Sequence, residues 1–333
     1  MKAVATDGDG KIRVEEIPIP EIGPYDCLVK NKFCVFCNST DRHIINNTFP
    51  HKLNYPAILG HESFGEIIKT GNKARYLQTG ERIFRAYAIY PNESYKGFYS
   101  SWGGFSEYGK VCDMRAANED GAISDKQASY FKNQFKLDPE ISDDDAQCMI
   151  VYREAASALW QIPEIRDKTI LILGTGSVGL SMCRLAKMLG AKRITLIGRK
   201  KDKIQRGLHA GADDAFLVHE KKQMKQTYDM LIDSTGSIEM VQGFSSYVRR
   251  GAGIYKYAIY ENEGELDRNI SDYNVSRIDP DECKTADWVE SLVKKKLLSS
   301  SLLITHHFSL DDIQNAYKVV LGGSCIKVVI HFT

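Results

Sequence analysis

Thr169-Ile170-Leu171-Ile172-Leu173-Gly174-Thr175-Gly176-Ser177-Val178-Gly179 is the stretch that decides the fold. A short aliphatic run with no polar alternation suits a strand buried on both faces of a parallel sheet. It leads into the pattern G-x-G-x-x-G, and a helical stretch from Ser177 to Leu189 follows, closed by Gly190. Alone, the glycine pattern is weak and could be a plain turn. Between a strand and a helix it reads as a dinucleotide site. Gly174 permits a tight turn, Gly176 lets a pyrophosphate approach the backbone, and Gly179 allows close helix–strand packing. Thr175, Ser177 and Val178 complete the loop. The N-terminus of the helix adds N–H donors and positive potential for phosphates.

Downstream the alternation continues. Arg193 to Ile197 reads as the next strand and Lys201 to Ala210 as the next helix, followed by Gly211. Further strands are expected at Ala215 to Val218, Met230 to Ile232 and Gly253 to Ala258. Short apolar strands alternating with helices predict an α/β domain with helices on both faces of a parallel sheet, the Rossmann doubly wound arrangement. The end of the second strand bears on cofactor choice. NAD sites usually carry a carboxylate about 20 residues past the glycines to accept from the ribose 2′-OH. Here Gly198-Arg199-Lys200 stands instead. A guanidinium can bind a 2′-phosphate bidentately, so the expectation is NADP(H) over NAD(H). A solvated, charged helix start is the alternative.

Upstream, the first 145 or so residues read as β-rich. Lys11 to Ile17 and Cys27 to Phe36 are strand candidates, Tyr90 to Gly104 reads as a long loop, and Asp143 to Trp160 is helical in character. The last stretch offers a helix, Leu310 to Leu321, and a strand, Ile326 to Phe332. The expected domains are a β-rich domain over 1–145 completed by 290–333, and a nucleotide domain over 146–289. The 333-residue length suits two domains. With 44 Lys and Arg against 43 Asp and Glu, no basic field points to nucleic acid or an anionic membrane. No apolar run reaches the roughly 18 residues of a membrane span, and the opening MKAVATDGDG has no signal core, so a cytoplasmic protein is expected. The eight cysteines are scattered and read as reduced thiols.

Of these cysteines only Cys37 has neighbours that suggest chemistry. It ends a strand in Cys34-Val35-Phe36-Cys37-Asn38-Ser39-Thr40-Asp41-Arg42-His43, and Gly60-His61-Glu62 follows. Cys, neutral His and a carboxylate can make a three-ligand zinc site with an open fourth position. Such an ion polarises a carbonyl and stabilises an alkoxide. A Cys and a His at this separation are also a common accident.

The ordered set GHESFGEI, TGERIF, GGFSEY at 103–108 and GTGSVG resembles the zinc-containing medium-chain dehydrogenase/reductase family across nearly the whole chain. The resemblance implies a GroES-like β-rich catalytic domain beside the Rossmann domain, and hydride transfer between NADP(H) and an alcohol, polyol or sugar-derived carbinol. It implies Cys37 and His61 as zinc ligands, Glu62 as a ligand or a close neighbour that exchanges with water, and Asp41 as a residue orienting the site. The proton relay is implied to be Ser39 or Thr40 with His43, because this loop is one residue longer than usual. Glu154 is the candidate third ligand, although another alignment puts Arg153 there. The four-cysteine lobe that binds a structural zinc in many relatives is missing, as 85–111 holds no cysteine. One catalytic zinc per subunit is therefore expected. The resemblance also implies a homodimer or homotetramer and a small substrate near Arg42, Trp102 and the tyrosine-rich loop. Arg42 and Arg85 are either contacts to a phosphorylated or acidic substrate or plain exposed cations. Two other readings stand beside this one: a zinc-independent quinone or enoyl reductase on the same fold, and a non-catalytic NADP-binding protein.

Overall fold

The structure is a computed structural model and describes residues 1–260, 266 and 270–332. The chain divides into two compact units, Met1–Gln147 with Ile304–Thr333, and Cys148–Leu303.

The second unit is built on a six-stranded parallel sheet. Its strands, taken across the sheet, are Asp214–Leu217, Arg193–Gly198, Thr169–Leu173, Tyr228–Asp233, Val248–Lys256 and Asn274–Arg277. Numbered along the chain, that order is 3-2-1-4-5-6, the dinucleotide-binding arrangement, whose ligand crevice lies where the order reverses. Ile170, Leu171, Ile172 and Leu173 are fully buried, as a central strand covered on both faces requires. Leu171 and Leu173 pack in one cluster with Ile197, Leu231, Phe244 and Ile254. The helix Lys201–Ala210 ends on Gly211 at φ +107°, the left-handed cap that glycine adopts without a Cβ penalty.

The first unit holds two sheets. One runs Arg13–Glu16, Lys2–Thr6, Ala57–Ile58, Phe98–Ser100 and Ser94–Tyr95; the other runs Ile304–Ser309, Lys327–His331, Asp26–Val35, Ser63–Thr70 and Arg82–Phe84. Tyr108–Cys112 also pairs with Asp26–Val35. The returning C-terminal strand is antiparallel to Asp26–Val35, with Val329 opposite Val35 and Ile330 opposite Cys34. That register brings Lys327 to the end of the strand that leads to Cys37.

Several boundaries differ from the sequence reading. The helical stretch Asp143 to Trp160 is two helices, Asp143–Ala146 and Met149–Trp160, and the chain passes between units at Gln147. The Tyr90 to Gly104 loop contains a hairpin, Ser94–Tyr95 with Phe98–Ser100, turned by Lys96 and Gly97, both at positive φ. Two such residues make the turn whose twist suits a hairpin. The return to the first unit falls at Ile304 rather than near 290. The intervening segment stays with the second unit because its carbonyls are taken there: Ser299 by the Tyr152 hydroxyl at 2.9 Å and Leu302 by Arg206 at 3.2 Å. No helix among the described residues is long and apolar enough to cross a membrane.

Candidate metal and cofactor sites

In the first unit, one donor atom each from Cys37, His61 and Glu62 lies within 4.8 Å of the others. Three segments set this up. Cys37 follows the strand Asp26–Val35, and its N–H donates to Asp41 Oδ2 at 2.9 Å, which folds the Asn38–Thr40 loop back on itself. His61 follows Gly60, which sits at φ +97°; a Cβ there would lie 2.6 Å from the amide nitrogen of Phe105. Gly104 and Phe105 donate to the carbonyls of Gly60 and Leu59 at 2.7 and 2.8 Å, so the GGF segment clamps the turn that presents His61.

The two faces of the His61 ring differ. Nδ1 is 3.5 Å from Asp41 Oδ1, and Nε2 is 3.9 Å from Glu62 Oε1. Asp41 is fully buried and can fix the imidazole tautomer that leaves Nε2 for a metal. Burial pushes the His61 pKa down, but hydrogen bonding to Asp41 and Cys37 outweighs it and raises the pKa well above the usual imidazole range. Loading a metal therefore requires displacing a proton. Thiolate, imidazole and carboxylate together are a donor set that fits zinc.

Glu62 has a partner the sequence reading missed. Lys327 Nζ lies 2.5 and 2.6 Å from its two carboxylate oxygens and 3.5 Å from the carbonyl of Phe36, with both side chains buried. The only signal in the sequence was a lone lysine inside an apolar strand.

Around this group, Trp102, at φ +67°, sets its ring 5.4 Å from that of His61 and 6.0 Å from Phe49. Arg85 is not the exposed cation that one sequence alternative expected. It is buried, and its Nη1 donates to the His61 carbonyl at 2.9 Å. Arg42 is exposed. Ser39 precedes the helix Thr40–Ile45 and is exposed, while Thr40 is half-buried. His43 Nδ1 lies 2.8 Å from Thr48 Oγ1.

Glu154 and Arg153 lie on the helix Met149–Trp160 of the second unit. Glu154 accepts from the Tyr257 hydroxyl at 3.3 Å, and buried Arg153 donates through Nε to the Glu282 carbonyl at 3.4 Å. The three-donor group is drawn wholly from the first unit.

At the glycine loop of the second unit, Gly174 has φ +112°, and a Cβ on Gly179 would lie 2.1 Å from the Gly174 carbonyl oxygen. Nothing stands within 4 Å of a Cβ built on Gly176, which leaves room for a ligand to approach the backbone. The helix Ser177–Met188 has no side-chain cap, so its first N–H groups face this space. A cavity of about 260 Å³ here is lined by Thr175, Gly198, Arg199, Lys200 and Lys203 beside the glycines. A Cβ on Gly198 would come 2.4 Å from Thr175 Oγ1, which explains glycine at the second strand's end. Ser177 and Val178 start the helix. The fit to a dinucleotide pyrophosphate is good on these grounds.

Residues 23–118 match the alcohol dehydrogenase GroES-like domain. The chain is 24% identical to D-arabinitol dehydrogenase 1 of Uromyces fabae, over 94% of this chain and 91% of that protein. It is 24% identical to L-threonine 3-dehydrogenase of Vibrio parahaemolyticus, over 96% and 95%. Among solved structures, galactitol-1-phosphate dehydrogenase from Escherichia coli superposes with a TM-score of 0.77 at 21% identity, over 99% of this chain and 100% of that one, a likeness of fold.

Proposed function

We propose, from the premise that this chain belongs to the zinc-containing medium-chain dehydrogenase/reductase family of alcohol and polyol dehydrogenases, that it oxidises a small polyol or related alcohol reversibly with NADP(H) at a single zinc. The observation that carries this reading is the convergence of Cys37, His61 and Glu62 donors within 4.8 Å.

Cys37 and His61 hold the ion in this reading. Glu62 supplies the third donor and exchanges between that role and its pair with Lys327. Glu154 is assigned to Tyr257 instead. When bound, zinc supplies a Lewis acid for the substrate oxygen and the nicotinamide C4 accepts or returns the hydride. The protein then has to orient the carbinol and move one proton. Thr40 is the better relay hydroxyl, since it is half-buried and adjoins Asp41, whereas Ser39 is exposed. Thr40 accepts the hydroxyl proton as it leaves and passes it to His43 and solvent. Trp102, packed against His61, forms one wall beside the metal ligands.

In the second unit, Gly174, Thr175, Gly176, Ser177, Val178 and Gly179 bind the pyrophosphate. Gly198 leaves space, and Arg199, Lys200 and Lys203 face the 2′-phosphate; no carboxylate is among the described residues that line this cavity. A dianion is worth more to these cations than a neutral 2′-OH. A homodimer or homotetramer is the proposed assembly.

The test is NADPH formation across a panel of polyols, sugar phosphates and simple alcohols, with and without a chelator. Chelator-sensitive turnover of a polyol is the expected result. Chelator-insensitive reduction of an enone would favour the zinc-free reductase, and NADPH binding without turnover of any substrate would favour a binding protein.

A further inference from the structure

We propose that the second unit carries a separate anion site for a phosphate monoester, in a pocket between the helices Ser177–Met188 and Lys201–Ala210 and the segment 296–302. The inference does not depend on the catalytic reading. The pocket has a volume of about 330 Å³, near the lower end for small-ligand sites, and shares no lining residue with the glycine-loop cavity. Arg184, Arg206, His209 and Lys296 line it with Ser299 and Ser301, and no carboxylate is among its described lining residues.

The two guanidiniums are aimed rather than neutralised. Arg184 donates through Nε and Nη2 to the Leu297 carbonyl at 3.3 and 3.1 Å, and Arg206 through Nη1 to the Leu302 carbonyl at 3.2 Å. Neither is paired with a carboxylate among the described residues, so the other N–H groups of each remain for a ligand. Lys296 sits at φ +57°, just past the helix Ala286–Lys294, where glycine is the usual residue. Two guanidiniums match a dianion better than a monocarboxylate, and planar guanidiniums suit phosphate oxygens. Leu297, Leu298 and Leu302 give the pocket an apolar wall for the body of an ester. Arg184 lies about two turns down its helix from the N-terminus at the glycine loop, so the cofactor phosphates are held elsewhere.

The test is calorimetric titration of the NADP⁺-saturated protein with glucose 6-phosphate and with inorganic phosphate, with glucose as the neutral control. Saturable binding of a phosphate-bearing probe, and none of glucose, is expected. Arg184→Gln and Arg206→Gln should each weaken it about tenfold or more, the loss expected for a charge-assisted hydrogen bond. Ser301→Asp, at an exposed position, keeps both arginine–carbonyl bonds and should abolish binding by like-charge repulsion; NADP⁺ affinity should be unchanged in all three. The proposal is overturned if neither phosphate probe binds the NADP⁺-saturated protein, or if binding survives Ser301→Asp unchanged.

Discussion

Lys327 grips Glu62 through both carboxylate oxygens, at 2.5 and 2.6 Å, in a buried position next to Cys37 and His61. The residues are 265 positions apart in the chain. Removing one partner of a buried ion pair leaves the other uncompensated, at a cost of roughly 3–5 kcal/mol. Lys327→Met should therefore lower unfolding stability in urea by about that amount, and adding Glu62→Gln should recover much of the loss. A neutral effect of Lys327→Met would show that Glu62 is stabilised by other means.

Asp41 accepts from the Cys37 amide and lies 3.5 Å from His61 Nδ1, beside two of the proposed ligands. Asp41→Asn should weaken zinc binding about 10- to 100-fold in competition with a chromogenic chelator, with the fold kept by circular dichroism. Cys37→Ser should go further and purify without metal. A stoichiometry of two zinc ions per chain in the unmodified protein would contradict the single-site assignment.

Arg199 lines the glycine-loop cavity at the end of the second strand. Arg199→Ala should reduce kcat/KM for NADP⁺ by about 10- to 100-fold, the worth of hydrogen bonds to a charged group, while changing NAD⁺ little. Equal losses for both cofactors would mean that Arg199 supports the loop rather than reading the 2′-phosphate.

Ser39 and Thr40 are the two hydroxyls proposed for the relay, and they differ in exposure. Thr40→Ala should lower kcat about 10²- to 10⁴-fold, the usual range for lost proton transfer, while Ser39→Ala stays near the parent rate. His43→Ala should lower kcat at neutral pH and be partly rescued by added imidazole. The reverse ranking of the two hydroxyl variants would move the relay to Ser39.

The sequence by itself determined the elements whose physics is local. The aliphatic strand Thr169–Leu173, the glycines after it and the glycine-closed helices could be read directly, because a buried parallel strand, a tight turn and a helix cap each depend on a few adjacent residues. Cys37 and Gly60-His61-Glu62 were legible as a motif, whereas the turn at Lys96-Gly97 puts a lysine at positive φ, which sequence does not signal. Tertiary structure decided what long-range packing controls. Arg85 and Lys327 are cations whose burial no window of sequence reveals, since each is stabilised by a partner from another strand or turn. The difference in exposure between Ser39 and Thr40 likewise comes with the loop that Asp41 folds against Cys37. The return at Ile304 depends on Tyr152 and Arg206, which hold the carbonyls just before it. Buried charges and carbonyls must find partners somewhere in the fold, and the sequence does not state where.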